Sequence, residues 1–575
     1  MYSDKENVNI LTALLLAHGI KHAVVCPGSR NAPIVHNLNE CPDISCVPVT
    51  DERSAGFVAL GMAQATGKPV VVCVTSGTAL LNLAPAVAEA RYLHQPLIVI
   101  SADRPAAWID QLDGQTLPQG DALGRFVRKA VTLPEPHDAT ECWHCNRLVN
   151  EAIAAATHRQ AAPVHINVPI TEPLFEFTTG SLPAERAFTV MTCGDGTACC
   201  AGLAEAFVRA EKPMVVIGQT ARGAITSDVI SRLGRHAVVI SEPLGSDKGA
   251  VRFDEVLYAA GNDADLMPDM VVYAGDTIVS KRMRAMLRAA KAPTYVITPN
   301  AAEMHDPTMW LCGIVECGGG HGGDRGTNDV LTTLADAAEK AETEHGDDTA
   351  RTKRQLYTER WADAHGKADA NADSYEPPFS QMAAVRYFEQ QLQDMPYDHC
   401  VHYANSSAIR LANIYSDHYV WCNRGVNGIE GSLSAAAGFS LCTEAMAFCV
   451  IGDLSFFYDQ NALWNSSLRG NLRIILLNNH CGGIFHILRG LEQSAARDAM
   501  ISACHNTDAR GVCTQNDIGY LRATNMDEMR IGIVTLMTRE SARPMLLEVS
   551  TDAEEDGRAL QEYYRRLRKM VAYDR

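Results

Sequence analysis

Ala447-Phe-Cys-Val-Ile-Gly-Asp-Leu-Ser455 and Arg473-Ile-Ile-Leu-Leu-Asn-Asn479 are two stretches that run from apolar into polar residues. A short, continuous apolar run that ends in a polar turn is typical of a strand buried on both faces, as in a parallel sheet covered by helices. In open parallel sheets, ligands bind at the carboxyl ends of the strands. Asp453 and Asn479 therefore stand where a bound group would be held.

These strand ends offer hard oxygen ligands. The Asp453 carboxylate and the Asn479 amide oxygen suit Mg²⁺ together with a bound phosphate. Gly452 and Ser455 would let the backbone and a hydroxyl approach that phosphate closely. An ordinary turn at the end of a strand could contain the same residues, so this pattern alone leaves both interpretations open.

Outward from these strands, short apolar runs alternate with helical stretches three times along the chain, which predicts an α/β protein of three consecutive doubly wound parallel-sheet domains. Polar residues around 335–378 predict a helical, solvent-facing connection. The expected domains are 1–185, 195–335 and 379–575, with a linker at 336–378. The expected strands are 22–26, 46–49, 70–75, 97–101, 214–217, 237–240, 270–273, 294–297, 399–403, 419–422, 447–451, 473–477 and 545–549, and two expected helices are 52–65 and 78–92.

Composition excludes several classes of protein. The 575 residues carry 68 acidic and 50 basic side chains, a formal charge of −18, which argues against general nucleic-acid binding. The 18 cysteines are too few for a disulfide scaffold, and several lie in apolar runs, as free thiols do in a reducing cytosol. No signal peptide or membrane-spanning run is found, so we expect a cytoplasmic protein without a membrane span.

The two strand ends resemble the motif of thiamine diphosphate enzymes, Gly-Asp-Gly followed some 25–30 residues later by Asn-Asn; Asn478 stands 25 residues after Asp453, and Leu454 replaces the second glycine. Glu52, in Thr50-Asp-Glu-Arg53, matches the glutamate that these enzymes place at a helix start in their first domain. The resemblance implies that Glu52 drives the aminopyrimidine to its imino tautomer, which then removes the thiazolium proton. A glutamate favoured by the helix dipole is the plainer alternative.

Further motifs narrow the resemblance to one family. Over all three domains the chain resembles the 2-succinyl-5-enolpyruvyl-6-hydroxy-3-cyclohexene-1-carboxylate synthases of menaquinone biosynthesis. The motifs are Cys26-Pro-Gly-Ser-Arg-Asn-Ala-Pro33, Val74-Thr-Ser-Gly-Thr78, Ser101-Ala-Asp-Arg-Pro105, Asn405-Ser406 with Arg410, Asn423-Arg-Gly425 and Gly483-Ile-Phe485.

The resemblance implies pyrimidine-binding, central and diphosphate-binding domains in that order. It implies thiamine diphosphate with Mg²⁺ or Mn²⁺, and a homodimer or homotetramer with active sites between subunits. The implied carboligase decarboxylates 2-oxoglutarate and adds the succinyl carbanion equivalent to isochorismate in a Stetter-like 1,4-addition. Both substrates are anionic, so their site needs Arg or Lys side chains.

Site residues carry over by motif, with Glu52 as the catalytic residue. The other implied cofactor contacts are Thr78, Asn427, Gly428, Ile429, Gly452, Asp453, Leu454, Ser455, Asn479 and Cys481, of which Ile429 would wedge between the two cofactor rings. The implied metal ligands are Asp453, Asn479 and the backbone carbonyl of Cys481. Arg410 and Arg424 would hold the 2-oxoglutarate carboxylate, and Ile484 and Phe485 would form an apolar wall. The implied isochorismate contacts are Ser29, Arg30, Arg104, Gln115, Lys281 and Ser406.

The chain departs from the family pattern at two places. His480-Cys481-Gly482 stands where the family commonly has Asn-Gly-Gly, and Asp113-Gly-Gln-Thr116 is a looser match. Two alternatives stay open. The chain could be another thiamine-dependent 2-oxo acid decarboxylase or an acetolactate-type synthase, or it could be a catalytically inactive homologue that serves as a binding subunit.

Overall fold

A computed structural model describes the whole chain except residues 189–199, 247–251, 262, 304, 318–324, 345–348, 487, 489 and 573–575. Three parallel sheets follow one another along the described chain, with six, five and five strands. Among the described residues, no helix combines the length and the apolar character needed to cross a bilayer.

The first sheet has the strand order β2-β1-β3-β4-β6-β5, and all of its pairs are parallel. Its strands are β1 (His22–Val25), β2 (Ser45–Pro48), β3 (Val70–Val74), β4 (Leu97–Asp103), β5 (Lys129–Thr132) and β6 (Val164–Pro169). The accompanying helices are α1 (Glu6–Ala17), α2 (Ala32–Glu40), α3 (Glu52–Thr66), α4 (Thr78–Asn82), α5 (Ala84–Tyr92) and α6 (Ala139–Thr157).

The second sheet has the order β11-β10-β9-β7-β8. Its strands are β7 (Pro213–Ile217), β8 (Val238–Ser241), β9 (Met270–Ala274), β10 (Thr294–Thr298) and β11 (Leu311–Glu316). The helices of this region are α7 (Ala201–Arg209), α8 (Ser227–Leu233), α9 (Phe253–Ala260), α10 (Lys281–Ala290), α11 (Arg325–Glu344) and α12 (Thr349–Ser374).

The third sheet has the order β12-β13-β14-β16-β15. Its strands are β12 (His399–Tyr403), β13 (Met446–Gly452), β14 (Leu472–Asn478), β15 (Gly519–Ala523) and β16 (Met545–Ser550). The helices are α13 (Gln381–Gln393), α14 (Ser407–Tyr415), α15 (Ser432–Leu441), α16 (Asp453–Tyr458), α17 (Arg510–Gln515), α18 (Met526–Thr538) and α19 (Ala553–Ala572).

Each sheet is covered on both faces. The apolar residues on the two faces of each sheet belong to two separate clusters. In β14, for example, Ile475 and Leu477 belong to one cluster and Ile474 and Leu476 to the other. This alternation buries both sides of a parallel strand, which explains its unbroken apolar sequence. The three-sheet α/β fold predicted from the sequence is confirmed, whereas the domain boundaries stay a prediction.

Several local predictions are corrected. Residues 419–422 form no strand; only Trp421 makes an isolated bridge, to His402. The expected helix 78–92 is two helices, because Pro85 at the start of α5 breaks the backbone hydrogen-bond pattern.

Sequence patterns also failed to identify four strands. Three of them, β5, β11 and β15, are partly exposed edge strands that carry polar residues. The fourth, β6, is buried between β4 and β5, but His165 and Asn167 interrupt its apolar run.

Helix α12 does not face solvent on all sides, contrary to the expectation for this connection. Tyr357, Trp361, Ala368 and Ala372 are at most 3% exposed, and the first three pack into a core of the second sheet. The Trp361 indole N–H donates to the Leu266 carbonyl at 3.2 Å. The helix is therefore a packed element, although its composition is polar.

The first and third sheets meet through α3 and α15, which touch backbone to backbone. A Cβ atom placed on Gly61 would lie 1.9 Å from the Ala435 carbonyl oxygen, and one on Gly438 would lie 2.0 Å from the Val58 carbonyl oxygen. Only glycine permits such an approach. The contact fixes the start of α3, and hence Glu52, relative to the third sheet.

We expect Gly438→Ala to destabilise the protein by about 1–3 kcal/mol or more, because the added methyl group would collide with backbone that cannot move aside cheaply. Gly366→Ala in the exposed middle of α12 is the matched control, since a Cβ there meets nothing within 4 Å. It should stabilise the helix by roughly 0.5–1 kcal/mol. Thermal unfolding measures both variants, and equal melting temperatures would contradict the close contact.

Candidate active site

The Asp453 carboxylate accepts hydrogen bonds from residues that follow two neighbouring strands, β13 and β14. Asp453 follows β13 directly and is 3% exposed. Its Oδ1 accepts from the Leu454 N–H at 2.7 Å, and its Oδ2 accepts from the Cys481 N–H, beyond β14, at 3.0 Å. Burial raises the pKa of the Asp453 carboxyl to about 6. A divalent cation at this position would favour the charged carboxylate.

The Asn479 side chain has a fixed orientation. Its Nδ2 donates to Asp556 Oδ2 at 3.2 Å, and the same Asp556 oxygen accepts from Thr551 Oγ1 at 2.9 Å. The amide oxygen of Asn479 is thereby directed away from Asp556. A carboxylate, an amide oxygen and a backbone carbonyl on adjoining loops form a donor set that fits Mg²⁺ or Mn²⁺.

The loop after Asn479 keeps a tight turn without the family's glycine. His480 has a φ of +65°, in the left-handed region, and its N–H donates to Asn478 Oδ1 at 3.0 Å. Histidine is among the non-glycine residues that adopt this region more often than most. Cys481 is 4% exposed and directs its N–H to Asp453, as described above.

The loop that carries Asn427, Gly428 and Ile429 is held from two sides. Glu89 on α5 is 3% exposed and accepts from the Gly425 and Val426 N–H groups, both at 2.7 Å. Asn405 donates its side-chain N–H to the Gly428 carbonyl at 2.8 Å. Ile429 itself is 41% exposed, as a residue that contacts a bound ligand would be.

Arg410, which is half-buried, and Arg424, which is buried, form a cationic pair on the third-sheet side. Arg424 is 8% exposed and donates to Asn405 Oδ1 at 3.0 Å. Burial, and then the charge of Arg424, lowers the pKa of Arg410. Arg410 Nη1 and Arg424 Nε are buried without a hydrogen-bond partner among the described residues. Buried N–H groups of this kind, on two neighbouring cations, are donors that an anion could satisfy.

The other predicted contacts of this region surround these loops. Ser406 has a φ of +74° at the N-terminus of α14, and Lys281 begins α10 with an exposed side chain. Ile484 and Phe485 are half-buried in the 3₁₀ turn Gly483–His486. Gly452 and Leu454 are half-buried beside Asp453, and Ser455 is buried in α16.

A second group lies at the carboxyl ends of the first sheet. Arg30 is buried and donates to the Ile170 carbonyl at 2.8 Å and to Glu172 at 3.0 Å. Arg104 pairs with Asp113 at 2.9 Å and donates to the Gly114 carbonyl at 3.0 Å. Ser29, Gln115 and Thr78 are exposed around them.

Glu52 begins α3 and is half-buried, with its Oε2 accepting from Asn82 Nδ2 at 3.3 Å. Its neighbours in sequence contact the segment after Asp453. Asp51 accepts from Asn461 Nδ2 at 2.7 Å, and Arg53 donates to the Tyr458 carbonyl at 2.7 Å.

The structure therefore gathers the predicted site residues in two groups. Within the described parts of the chain, no hydrogen bond or ion pair joins Ser29, Arg30, Arg104 or Gln115 to the third-sheet residues. Sequence patterns missed Glu89 and Asp556, which hold the site loops. Glu89 is a lone acidic residue within a helix, and Asp556 is one of several acidic residues at the start of α19. No local pattern distinguishes either from a solvated carboxylate.

Comparison with known proteins identifies the family. Residues 6–123 match the family model described as the thiamine pyrophosphate enzyme N-terminal TPP binding domain. Proteins named 2-succinyl-5-enolpyruvyl-6-hydroxy-3-cyclohexene-1-carboxylate synthase from Bacteroides fragilis and Bacteroides thetaiotaomicron are each 40% identical, over 99% of this chain and 100% of theirs. The protein of that name from Porphyromonas gingivalis is 33% identical over 98% of this chain and 97% of its own.

This chain belongs to the 2-succinyl-5-enolpyruvyl-6-hydroxy-3-cyclohexene-1-carboxylate synthase family. It is thus a thiamine diphosphate-dependent enzyme, and the predicted family and enzyme class are confirmed. A crystal structure from Mycobacterium smegmatis, described as a thiamin diphosphate-dependent enzyme, superposes with a TM-score of 0.69 at 17% identity. The superposition covers 96% of this chain and 100% of the crystallised chain. The two proteins therefore share the three-sheet fold.

We expect Glu89→Ala to weaken thiamine diphosphate binding by about tenfold or more, because two backbone N–H groups of the 425–429 loop lose a charged acceptor. Glu444→Ala is the control, since Glu444 is 91% exposed and pairs only with Arg469 among the described residues. Calorimetric titration with the cofactor compares them. Equal affinities would mean that Glu89 does not position a cofactor-binding loop.

Proposed function

We propose that this enzyme decarboxylates 2-oxoglutarate and adds the succinyl unit to isochorismate. The products would be CO₂ and 2-succinyl-5-enolpyruvyl-6-hydroxy-3-cyclohexene-1-carboxylate, as the relatives' name implies, in menaquinone biosynthesis. The full-length similarity to proteins of that name supports the proposal. So does the Arg410–Arg424 pair, which is the observation in this chain that carries it.

The Arg pair suits one end of 2-oxoglutarate. This substrate is a dianion. Its distal carboxylate needs a partner that stays positively charged when it is buried. Arg410 Nη1 and Arg424 Nε are buried donors without a partner among the described residues. A carboxylate would satisfy both and would relieve the repulsion between the two cations. Pyruvate lacks this second carboxylate, so an enzyme specific for pyruvate would gain nothing from the pair.

The cofactor would be anchored at the third sheet. Asp453, Asn479 and the Cys481 carbonyl would hold Mg²⁺ or Mn²⁺, while Gly452, Leu454 and Ser455 would contact the diphosphate. When bound, thiamine diphosphate supplies the nucleophilic carbon and the electron sink that decarboxylation requires.

Further contacts would orient the cofactor rings. Thr78, Asn427 and Gly428 would contact them, and Ile429 would wedge between them. The Glu52 carboxyl would share a proton with the pyrimidine ring nitrogen and so activate the cofactor. Glu52 is placed at the start of α3, where its neighbours contact the segment after Asp453.

Isochorismate would bind among the first-sheet residues and the remaining cations. Ser29, Arg30, Arg104, Gln115, Lys281 and Ser406 are the proposed contacts. Ile484 and Phe485 would exclude water from the reacting carbons. Arg30 already contacts Glu172, and Glu172 lies 3.9 Å from Arg104, so this carboxylate orients two cations toward the same region.

The two groups of site residues support a homodimer or homotetramer with its active sites between subunits. Within the described parts of one chain, no hydrogen bond or ion pair joins Ser29, Arg30, Arg104 or Gln115 to the third-sheet site residues. A partner subunit would bring its own copies of these four residues to them. We further propose a cytoplasmic location, consistent with the 16 described cysteines, all of them free thiols.

The direct test is a spectrophotometric assay of isochorismate loss. We expect loss only when the enzyme, thiamine diphosphate, Mg²⁺ and 2-oxoglutarate are all present. Glu52→Gln is the matched control: it should bind the cofactor and both substrates, yet lose nearly all turnover, because the amide cannot exchange the proton.

Three outcomes would contradict this account. Turnover of pyruvate alone, without isochorismate, would indicate a different decarboxylase or an acetolactate-type synthase. Full activity of Glu52→Gln would remove Glu52 from its role. Failure of the wild-type protein to bind thiamine diphosphate would favour an inactive binding subunit.

A further inference from the structure

Two cysteines and a histidine converge beside the proposed Mg²⁺ site. The ligand atoms of Cys481, His486 and Cys504 all lie within 4.8 Å of one another. Cys481 is buried, His486 half-buried and Cys504 exposed, so the cluster extends from the interior to the surface. None of the three side chains belongs to the proposed oxygen donor set, because Cys481 contributes only its backbone carbonyl there.

His486 supplies an independent sign that a ligand is missing from this cluster. Its Nε2 is buried and has no hydrogen-bond partner among the described residues. A buried ring nitrogen without a partner is costly, and native structures usually satisfy it with a hydrogen bond, a water or an ion. The sulfur atoms of the two cysteines lie within 4.8 Å of a ring nitrogen of His486.

We propose that Cys481, His486 and Cys504 form a Zn²⁺ site. Zinc binds thiolate sulfur at about 2.3 Å and imidazole nitrogen at about 2.0–2.1 Å in a tetrahedron, so ligand atoms stand roughly 3.3–3.8 Å apart. The present spacing needs closure by about 1.5 Å at most. Binding displaces one proton from each thiol to solvent, and water takes the fourth position.

The two metal sites would bind different ions because their ligand atoms differ. Thiolate and imidazole ligands select Zn²⁺, whereas carboxylate, amide and carbonyl oxygens select Mg²⁺ or Mn²⁺. Cys481 contributes to both through different atoms, its sulfur to zinc and its carbonyl to the harder cation. The sites are therefore adjacent and physically coupled through one residue.

The zinc would fix the loop beyond β14. That loop is held by the Gly482 N–H, which donates to the Ser502 carbonyl at 2.7 Å, and by the His505 N–H, which donates to the His480 carbonyl at 2.8 Å. A zinc ion bound by Cys481, His486 and Cys504 would add a cross-link stronger than these two hydrogen bonds. If the proposed function holds, the zinc ion also positions Ile484 and Phe485, which lie in sequence between its ligands Cys481 and His486.

The test uses the full-length enzyme, reduced and freed of metal. We expect it to take up one Zn²⁺ per chain in competition with a chromogenic chelator. Co²⁺ should give thiolate-to-metal charge-transfer bands and tetrahedral visible absorption. Cys504→Ser and His486→Gln should each weaken Zn²⁺ binding by about a hundredfold. Cys312→Ser is the control, because Cys312 is exposed and lies outside the cluster.

Thiamine diphosphate binding with Mg²⁺ separates this proposal from the proposed function. Cys504→Ser should keep cofactor binding while it loses zinc, so failure of one property leaves the other measurable. Absence of stoichiometric Zn²⁺ uptake, or uptake unaffected by Cys504→Ser and His486→Gln, would overturn the proposal. A Cys481–Cys504 disulfide found by mass spectrometry, in a protein whose reduced form takes up no zinc, would show a redox pair instead.

Discussion

The Asp453 carboxylate is the group around which the third sheet and its loops are organised. It is buried at the end of β13 and accepts one N–H from its own helix and one from Cys481 beyond β14. Two backbone N–H donors, with the His505 ring nitrogen 3.3 Å from Oδ2, only partly offset the cost of removing a carboxylate from water. Burial raises the pKa of Asp453 to about 6. The site therefore favours a cation, and the Asn479 amide oxygen is the nearby group oriented to share one.

Helix packing sets the position of the loops around the proposed cation site. The glycine contacts between α3 and α15 bring the first sheet against the third at backbone distance. Glu89 then reaches from α5 to two N–H groups of the 425–429 loop. Two buried carboxylates, Asp453 and Glu89, thus hold the two loops that the enzyme would use to grip its cofactor.

The sequence predicted mainly the strands with an unbroken apolar run, whether they lie inside a sheet or at its edge. The edge strands β2, β8 and β12 were predicted, whereas β6, buried but interrupted by His165 and Asn167, was missed. Continuous apolar runs identified β13 and β14, and the polar residues that follow them indicated the proposed metal ligands, because strand ends have a distinct local pattern. The strands β5, β11 and β15 are partly exposed and mix polar with apolar residues, so they lack an unbroken apolar run. Residues 419–422 were wrongly predicted as a strand because apolar residues also pack in irregular, buried segments.

Hydrogen bonds between residues far apart in the chain could not be predicted from the sequence. Glu89 is separated from Gly425 by 336 residues, and Asp556 from Asn479 by 77. No periodicity or motif links such positions. The pairing of Arg30 with Glu172, 142 residues away, is of the same kind. Motif resemblance named the cations, but only the packed structure shows that Arg410 and Arg424 retain unpaired N–H groups.

The measurement that tests this account most directly is calorimetric titration of the metal-free enzyme with thiamine diphosphate, with and without Mg²⁺. If Asp453 and Asn479 bind the diphosphate through a shared cation, saturating Mg²⁺ should tighten binding by at least about a hundredfold, a coupling of about 2.7 kcal/mol. Asp453→Ala should abolish that difference. Equal affinities with and without Mg²⁺ in the wild-type enzyme would contradict the account, because the buried carboxylate would then have no role in holding the cofactor.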